Sequence, residues 1–311
     1  MLPNPVLKRL GSAPDDRLVI IHADDIGMCQ ATITAYADLV DAGIMSSAAV
    51  MVPCPWFPLV ADYCRQQPDA DMGVHLTLTC EWDAYRWGPI STREPASGLM
   101  DEEGYFYRSA RLLQSHADPL AVQTELEAQV QAALARGIDV THVDTHMLGA
   151  IYPPYLEAYF NLSRKYRVPA MFLRSSQMDL WMSENQGVEA VQFARQQIQL
   201  LEDEGLPLVD YFEGSSLVWD SSEDRLEAVK RRLANLRPGI THFILHPAVD
   251  TPEIRAIAPD WRCRVSDYEI FTSKALLTFI KNEGIHVITY RMLRDLMPGA
   301  SPSANVEAAA R

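Results

Sequence analysis

Residues 17–27 read RLVIIHADDIG, an apolar, β-branched run that ends in two adjacent aspartates and a glycine. Such a run is typical of a strand that is buried on both faces, as in a parallel sheet. Helical periodicity follows at Ala31–Ala42. The stretch therefore predicts a strand followed directly by a helix, which is the repeating unit of α/β folds.

The same alternation recurs along the chain. The predicted strands are Arg17–His22, Ser46–Val52, Met72–Thr77, Thr141–Asp144, Ala170–Leu173, Leu208–Phe212, Ile240–Leu245 and Ile285–Thr289. Helical patterns lie between them, at Ala31–Ala42, Pro119–Arg136, Tyr155–Lys165, Val188–Glu204, Glu223–Leu236 and Asp267–Asn282. Because strands that alternate with helices form right-handed parallel units, eight of them predict an α/β fold with an irregular (β/α) barrel.

The barrel is expected to form a single domain over residues 17–297, between flexible segments at residues 1–16 and 298–311. Residues 80–116 separate a strand from the next helix by far more than the usual few residues. This long aromatic insertion, which contains Trp82, Tyr85 and Trp87, is predicted to be a lid or a partner surface. Its aromatic rings could stack on a sugar or form the small core of the loop itself.

Composition restricts the class of protein. The chain has 311 residues, of which 48% are hydrophobic and 22% charged, and a net charge of −14. These values exclude wholesale disorder and argue against nucleic-acid or anionic-membrane partners. Five cysteines without C-x-x-C spacing predict reduced thiols. With neither a signal peptide nor a run of about 18 apolar residues, we expect a cytoplasmic protein.

Polar residues interrupt the chain where four predicted strands end. They include Asp24 and Asp25, then His75, then the alternating His142, Asp144 and His146, and finally His246. Because the carboxyl ends of barrel strands meet at one face, five of these side chains are expected around one mouth: Asp24, Asp25, His75, His146 and His246. Asp144 is expected to orient a ligand histidine. Arg174, which follows a strand, could hold a substrate oxygen there or pair structurally.

Taken alone, each feature has an ordinary explanation, such as a helix cap for the aspartates or a core position for His75. Their convergence favours a metal-dependent hydrolase. Two imidazoles and one carboxylate form a site that leaves metal positions open. A second carboxylate can then act as general base, and another histidine as the acid for the leaving group.

Three motifs in order, residues 19–27 (VIIHADDIG), 73–77 (GVHLT) and 141–146 (THVDTH), resemble the YdjC-like (ChbG/HpnK) carbohydrate deacetylases. Residues 245–247 (LHP) and 266–269 (SDYE) are also similar to that family. The resemblance extends from Leu18 to Leu293. It implies a distorted TIM-type barrel, an N-acetylated carbohydrate as substrate and a homodimer.

The resemblance also implies roles for individual residues. Asp25, His75 and His146 would hold one divalent metal ion, Mg or Zn, while Asp24 would be the general base and His246 the acid. The reaction would release acetate from an amino sugar or a chitooligosaccharide. Independently of the resemblance, we expect the region from Trp82 to Trp87 to close over the sugar. His22 and the stretch from Met147 to Ala150 depart from the family pattern.

Two alternatives stay open from the residues. One is a metal-dependent barrel hydrolase that acts on a non-sugar amide or a phosphoester. The other is a catalytically weak protein that retains the metal and binds a sugar.

Overall fold

The computed structural model describes residues 3–177 and 188–299. Its named strands, all parallel, are β1 Arg17–Ile26, β2 Ser47–Val50, β3 Met72–Leu76, β4 Val140–Thr145, β5 Tyr211–Gly214, β6 Gly239–Leu245 and β7 His286–Val287. The helices are α1 Pro5–Arg9, α2 Gln30–Asp41, α3 Phe57–Gln66, α4 Ala110–His116, α5 Pro119–Ala135, α6 Pro153–Tyr166, α7 Val188–Asp203, α8 Arg225–Ala234, α9 Pro252–Ile257, α10 Trp261–Phe271, α11 Lys274–Asn282 and α12 Tyr290–Arg294.

Six of these strands are paired in the order β4-β3-β2-β1-β6-β5. The two ends of this sheet meet through residues 170–173, since Ala170 bridges Val143 and Leu173 bridges Val209 just before β5. β7 pairs with the N-terminal half of β1, at Leu18 and Val19. The result is a distorted barrel, which confirms the predicted fold class.

Strand alternation divides the core into two layers. On β1, Val19 and Ile21 belong to a hydrophobic cluster that includes residues of α8, α10 and α11. Leu18 and Ile20 belong to the other cluster. His22 continues their side of the strand and contacts the rings of His142 and His242. His142 lies in β4, which is not a neighbour of β1 in the sheet. The two rings can therefore meet only across the interior, so His22 points into the barrel.

The structure differs from the predicted elements in several places, of which three concern the number or the length of elements. The helix expected at Asp267–Asn282 is two helices, α10 and α11, because the Ser273 side chain caps the second at Leu276. The strand expected at Ala170–Leu173 is reduced to isolated bridges. The last strand, predicted at Ile285–Thr289, contains only His286 and Val287.

The segments outside the barrel also have structure where they are described. Residues 1–16, predicted to be flexible, contain α1, whose Val6 and Leu7 are buried. Of the predicted tail at 298–311, residues 300–311 lie outside the described residues. All five cysteines are free and buried. Across residues 3–177 and 188–299, every helix is too short or too polar to cross a membrane.

Candidate active site

Two adjacent aspartates end β1 and face different partners. Asp25 has a left-handed backbone conformation, with a φ of 62°, and the pairing of β1 with β2 shifts register between Ala23 and Ile26. This irregularity separates the two carboxylates. Asp24 contacts His22, whereas Asp25 contacts His146 on the other side of the mouth.

Asp25, His75 and His146 form a compact, buried cluster. Asp25 Oδ1 lies 3.1 Å from His146 Nδ1 and 3.4 Å from His75 Nε2. One potential ligand atom from each residue lies within 4.8 Å of the other two. Asp25 lies near the end of β1, His75 near the end of β3, and His146 directly after β4, so the structure brings them together as the strand-end argument expects.

This donor set fits a divalent metal ion. Nitrogen and oxygen ligands lie about 2.1 Å from Zn²⁺, which puts neighbouring ligands roughly 3.0–3.4 Å apart. Asp25 Oδ1 has that separation from the imidazole nitrogens of both His75 and His146. Two imidazoles and one carboxylate also leave coordination positions open for water and substrate.

Two further carboxylates fix the orientation of the imidazoles. His75 Nδ1 donates to Asp144 Oδ1 at 2.8 Å, so its Nε2 faces the cluster. His146 Nε2 donates to Glu81 Oε2 at 3.0 Å, so its Nδ1 faces Asp25. Carboxylates in this position fix the tautomer and raise the basicity of a ligand histidine. Asp144 was predicted for this role. Glu81 was not, because it lies in the insertion, whose path the pattern leaves open.

Arg264 is a second site residue that the sequence analysis missed. Its guanidinium is buried and donates to Asp25 Oδ2 at 2.7 Å, while Nε donates to Asp260 at 2.8 Å. It also lies 5.6 Å from the ring centroid of Trp82. The only sequence signal for it is the acidic residue four positions earlier, Asp260, a spacing that indicates an ordinary surface pair.

The carboxylates control protonation in this cluster. Burial lowers the pKa of His146, but Glu81 and Asp25 outweigh burial and raise that pKa to about 9. Burial also lowers the pKa of His75, but Asp144 and Asp24 outweigh burial and hold that pKa well above its usual range. Both imidazoles therefore bind protons that a divalent cation would displace.

Asp24 is placed to accept a proton. Its Oδ1 accepts from His22 Nδ1 at 2.7 Å, while Oδ2 lies 3.8 Å from His75 Nε2 and 3.9 Å from His246 Nε2. Burial raises the pKa of Asp24, but His75, His22 and His246 together lower it below its ordinary value. Asp24 is therefore a carboxylate at neutral pH, with Oδ2 facing the cluster.

His246 follows β6 on the far side of Asp24. Its backbone N–H donates to Asp267 Oδ2 at 3.0 Å, and Asp267 in turn pairs with Arg225 at 3.2 Å. Among the described residues, His246 Nδ1 is buried without a hydrogen-bond partner. These contacts hold the backbone and leave Nε2 facing the mouth.

The barrel interior below the mouth contains three more histidines. His22 and His142 share a hydrogen bond between their Nε2 atoms, and Tyr290 contacts His242 Nδ1 at 2.9 Å. Burial, together with the neighbouring His22, keeps the pKa values of His142 and His242 well below the usual range. His142 thus contacts His22 and Tyr290 in the barrel interior. It does not join the Asp25 cluster, although the sequence places it in alternation with Asp144 and His146.

Trp82 and Trp87 form part of the wall of the site. Both are buried, with rings 5.5 Å apart in an edge-to-face arrangement. Trp87 Nε1 donates to the Thr79 carbonyl at 2.9 Å, and its ring lies 6.2 Å from that of His146. The structure thus favours the small loop core over an exposed stacking platform for both residues.

Arg174 does not lie at the mouth, and of the two roles predicted for it the structure favours the structural pair over a contact with substrate. Its guanidinium contacts Glu202 at 3.0 Å and Asp210 at 3.2 Å. Asp210 lies beside Ile240 at the start of β6, six residues and therefore about 20 Å of strand before His246. The segment 170–173 ends beside Val209, which precedes β5. Arg174, the next residue, therefore lies near the end of the barrel opposite the Asp25 cluster.

Met147 and Leu148, which directly follow His146, form an apolar rim. Both have positive φ values, 50° and 54°, and exposed side chains. Non-glycine residues rarely adopt this backbone conformation outside sites where the surrounding structure imposes it. The rim beside one potential metal ligand is consequently apolar rather than charged.

Fold and site together define a barrel protein with an Asp-His-His cluster beside a separate carboxylate and histidine. The chain belongs to the YdjC-like protein family, which it matches over residues 18–282. It is 33% identical to a carbohydrate deacetylase of Thermus thermophilus, covering 94% of this chain and 99% of that protein. A carbohydrate deacetylase of Thermoanaerobacter pseudethanolicus is 26% identical, with 89% and 100% coverage.

A solved structure has the same fold. It comes from Enterococcus faecalis and carries a provisional assignment as a cellobiose-phosphate cleavage protein. The TM-score is 0.72 at 23% identity, with 89% of this chain and 99% of the other covered.

Proposed function

We propose that this protein is a carbohydrate deacetylase that hydrolyses the N-acetyl group of an amino sugar or a chitooligosaccharide with the help of one divalent metal ion, Mg or Zn. The observation that carries the proposal is the buried cluster in which Asp25 Oδ1 lies 3.1 and 3.4 Å from two imidazole nitrogens. Family membership and the relatives named carbohydrate deacetylases support the reaction class.

In this proposal Asp25, His75 and His146 hold the ion. When bound, a divalent metal polarises a carbonyl and lowers the pKa of water. Asp24 Oδ2 accepts a proton from the attacking water, since its Oδ1 is already engaged by His22. Oxygen adds to the acyl carbon, the C–N bond breaks, and His246 Nε2 donates a proton to the departing amine, giving acetate and a free amino sugar.

The surroundings favour an amide over a phosphoester. The guanidinium of Arg264, which contacts the cluster, is buried and already paired with Asp25 and Asp260. The rim at Met147 and Leu148 is apolar. Recognition of a phosphoester dianion depends on available cationic donors, whereas an acetyl methyl is compatible with an apolar rim.

Acetate release tests the proposal. Purified protein, loaded with Mg or Zn and separately stripped by chelation, is incubated with N-acetylglucosamine and short chitooligosaccharides. We expect acetate only from the metal-loaded protein. Asp24→Asn should retain metal but lose at least about 100-fold in turnover, whereas His146→Ala should lose metal. Metal-loaded protein that releases no acetate from any of these substrates would contradict the proposal.

A further inference from the structure

A continuous hydrogen-bonded chain runs from the mouth into the barrel. Asp24 Oδ1 contacts His22 Nδ1 at 2.7 Å, and His22 Nε2 contacts His142 Nε2 at 2.8 Å. His142 Nδ1 contacts Thr141 Oγ1 at 3.0 Å, which contacts Asp71 Oδ1 at 2.8 Å. Every side chain in it belongs to a buried residue. Asp71 directly precedes β3, so the chain reaches the end of the barrel opposite the mouth.

Hydrogen-bond chemistry restricts where the protons lie. Two imidazole nitrogens at 2.8 Å must share one proton, since a donor has to face a lone pair. The Asp24 carboxylate only accepts, so His22 donates from Nδ1. The remaining groups can then be completed without any donor facing another donor, and two of the possible arrangements define the two ends of the chain.

In the first arrangement the Asp71 carboxyl donates to Thr141, Thr141 donates to His142 Nδ1, and His142 Nε2 donates to His22. In the second, each of these three protons has moved across its own hydrogen bond toward His22. Asp71 is then a carboxylate that accepts from Thr141, and His22 is an imidazolium beside Asp24. No proton is gained or lost; one positive charge appears at His22 and one negative charge at Asp71.

We propose that Asp71, Thr141, His142 and His22 form a proton relay that holds His22 as a hydrogen-bond donor to Asp24 and moves one proton equivalent between the two ends of the barrel. His22 is then a positioning residue: it occupies Asp24 Oδ1 and leaves Oδ2 as the reactive oxygen. The consequence for Asp24 as a base rests on the proposed function, whereas the relay itself does not.

The surroundings of His22 accommodate both arrangements. Besides Asp24 and His142, the titratable groups that face it are His242, Tyr290 and Asp144. Asp144 Oδ2 lies 3.6 Å from His22 Nε2 and has no hydrogen-bond partner among the described residues. That unpartnered carboxylate oxygen stabilises a positive charge when the proton reaches His22.

The opposite end accommodates a proton as well. Asp71 Oδ1 accepts from the Ser47 hydroxyl at 2.6 Å, and Oδ2 accepts from the Arg291 backbone N–H at 2.7 Å. Burial nevertheless raises the pKa of Asp71. Asp71 is therefore suited to hold the proton that the first arrangement places on it.

Nuclear magnetic resonance on metal-free, ¹⁵N-labelled protein tests the relay without reference to activity. Imidazole ¹⁵N shifts report which nitrogen carries a proton. Thr141→Val removes the hydroxyl that links His142 to Asp71 and preserves its shape. We expect it to shift the ¹⁵N resonances of His22, which lies two hydrogen bonds away, as well as those of His142. Asp71→Asn, a second way to break the same end, should also shift the His22 resonances.

Thr241→Val is the matched control, because Thr241 is equally buried but its hydroxyl has no hydrogen-bond partner among the described residues. It should leave the His22 resonances unchanged. If Thr141→Val and Asp71→Asn change only His142, or if Thr241→Val changes His22 as much as they do, the relay is wrong. Under the proposed function, Thr141→Val should also lower kcat about 10-fold at unchanged KM; absence of any deacetylation would contradict that function and leave the resonance test intact.

Discussion

Asp25 combines a left-handed backbone with a buried carboxylate, and these two properties can be separated by mutation. Asparagine tolerates a φ of 62° and keeps the side-chain shape. Its amide, however, lacks the negative charge that pairs with Arg264 and that would bind the metal ion under the proposed function. We therefore predict that Asp25→Asn folds but retains less than about a tenth of the bound metal, measured as metal per chain by mass spectrometry.

Asp25→Ala is the comparison for this prediction. Alanine in a left-handed conformation costs about 1–2 kcal/mol, so this variant should bind equally little metal and also unfold at a lower temperature than Asp25→Asn. Metal content in Asp25→Asn equal to that of the unchanged protein would remove Asp25 from the ligand set.

At the scale of single residues, strand ends were the informative part of the sequence. Asp24, Asp25, His75, His146 and His246 could be placed together because parallel strands end at one face. Other contacts were not predictable in this way, since each depends on how a loop or helix packs over the mouth. These contacts are from Glu81 to His146 and from Arg264 to Asp25.

Among the elements, β3 has a constraint that only the fold makes visible. A Cβ atom on Gly73 would lie 2.4 Å from Cε1 of the His142 ring. We therefore predict that Gly73→Ala forces the imidazole out of its position and destabilises the protein by about 1–3 kcal/mol. The measurement is the free energy of unfolding in denaturant.

A double-mutant cycle gives the control for this close approach. In a His142→Ala background the ring is gone, so adding Gly73→Ala should cost at least about 1 kcal/mol less than it does in the unchanged protein. Equal costs in the two backgrounds would show that Gly73 is required for a reason other than His142.

The carboxylate of Asp101 stabilises the insertion at 80–116, and its contribution to stability should depend on pH. Burial raises the pKa of Asp101, but hydrogen bonds from Arg86 and from the backbone of Tyr105 and Glu103 outweigh burial and lower that pKa below its ordinary value. A carboxyl group whose pKa is lower in the folded state stabilises the fold above its ordinary pKa and loses that contribution as pH falls through the folded value.

We therefore predict that Asp101→Asn lowers Tm by about 2 °C at pH 7, and that the difference from the unchanged protein shrinks toward pH 3. Thermal unfolding followed by circular dichroism at both pH values measures it. Glu102→Gln, at the exposed neighbouring position, should have no such effect. A difference at pH 3 as large as that at pH 7 would exclude the Asp101 carboxylate as its source.

For the whole molecule, the predicted barrel is confirmed but its closure was not visible in the pattern. Periodicity gave eight strand positions of similar weight. In the structure, residues 170–173 only bridge Val143 and Val209, and β7 pairs with β1 where β2 does not reach. The ten residues of β1 pair with different neighbouring strands along their length, and this division determines which strands are short. It depends on how the whole barrel closes, so it cannot be read from any single segment.

Helix α1 covers the end of the barrel opposite the mouth. Its hydrogen bonds join residues about two hundred positions apart in the sequence. Asn4 Nδ2 donates to Asp210 Oδ2 at 2.8 Å and to the Leu208 carbonyl at 3.0 Å, while Asn4 Oδ1 caps the helix at Val6. Asn4→Ala leaves the buried Asp210 carboxylate short of a donor and removes the cap. We predict a loss of about 2 kcal/mol in the free energy of unfolding, measured by denaturant titration.

Asn4→Asp separates the two contributions of this side chain. Aspartate preserves the cap but places a second carboxylate against Asp210. At pH 7 it should therefore destabilise the protein at least as much as Asn4→Ala, and the defect should decrease as the pH is lowered and the carboxylates are protonated. Asn235→Ala, at an exposed position that ends α8, is the control and should be neutral. If Asn4→Asp is instead as stable as the unchanged protein at pH 7, the helix cap alone attaches α1, and the contact with Asp210 contributes nothing to closing the barrel.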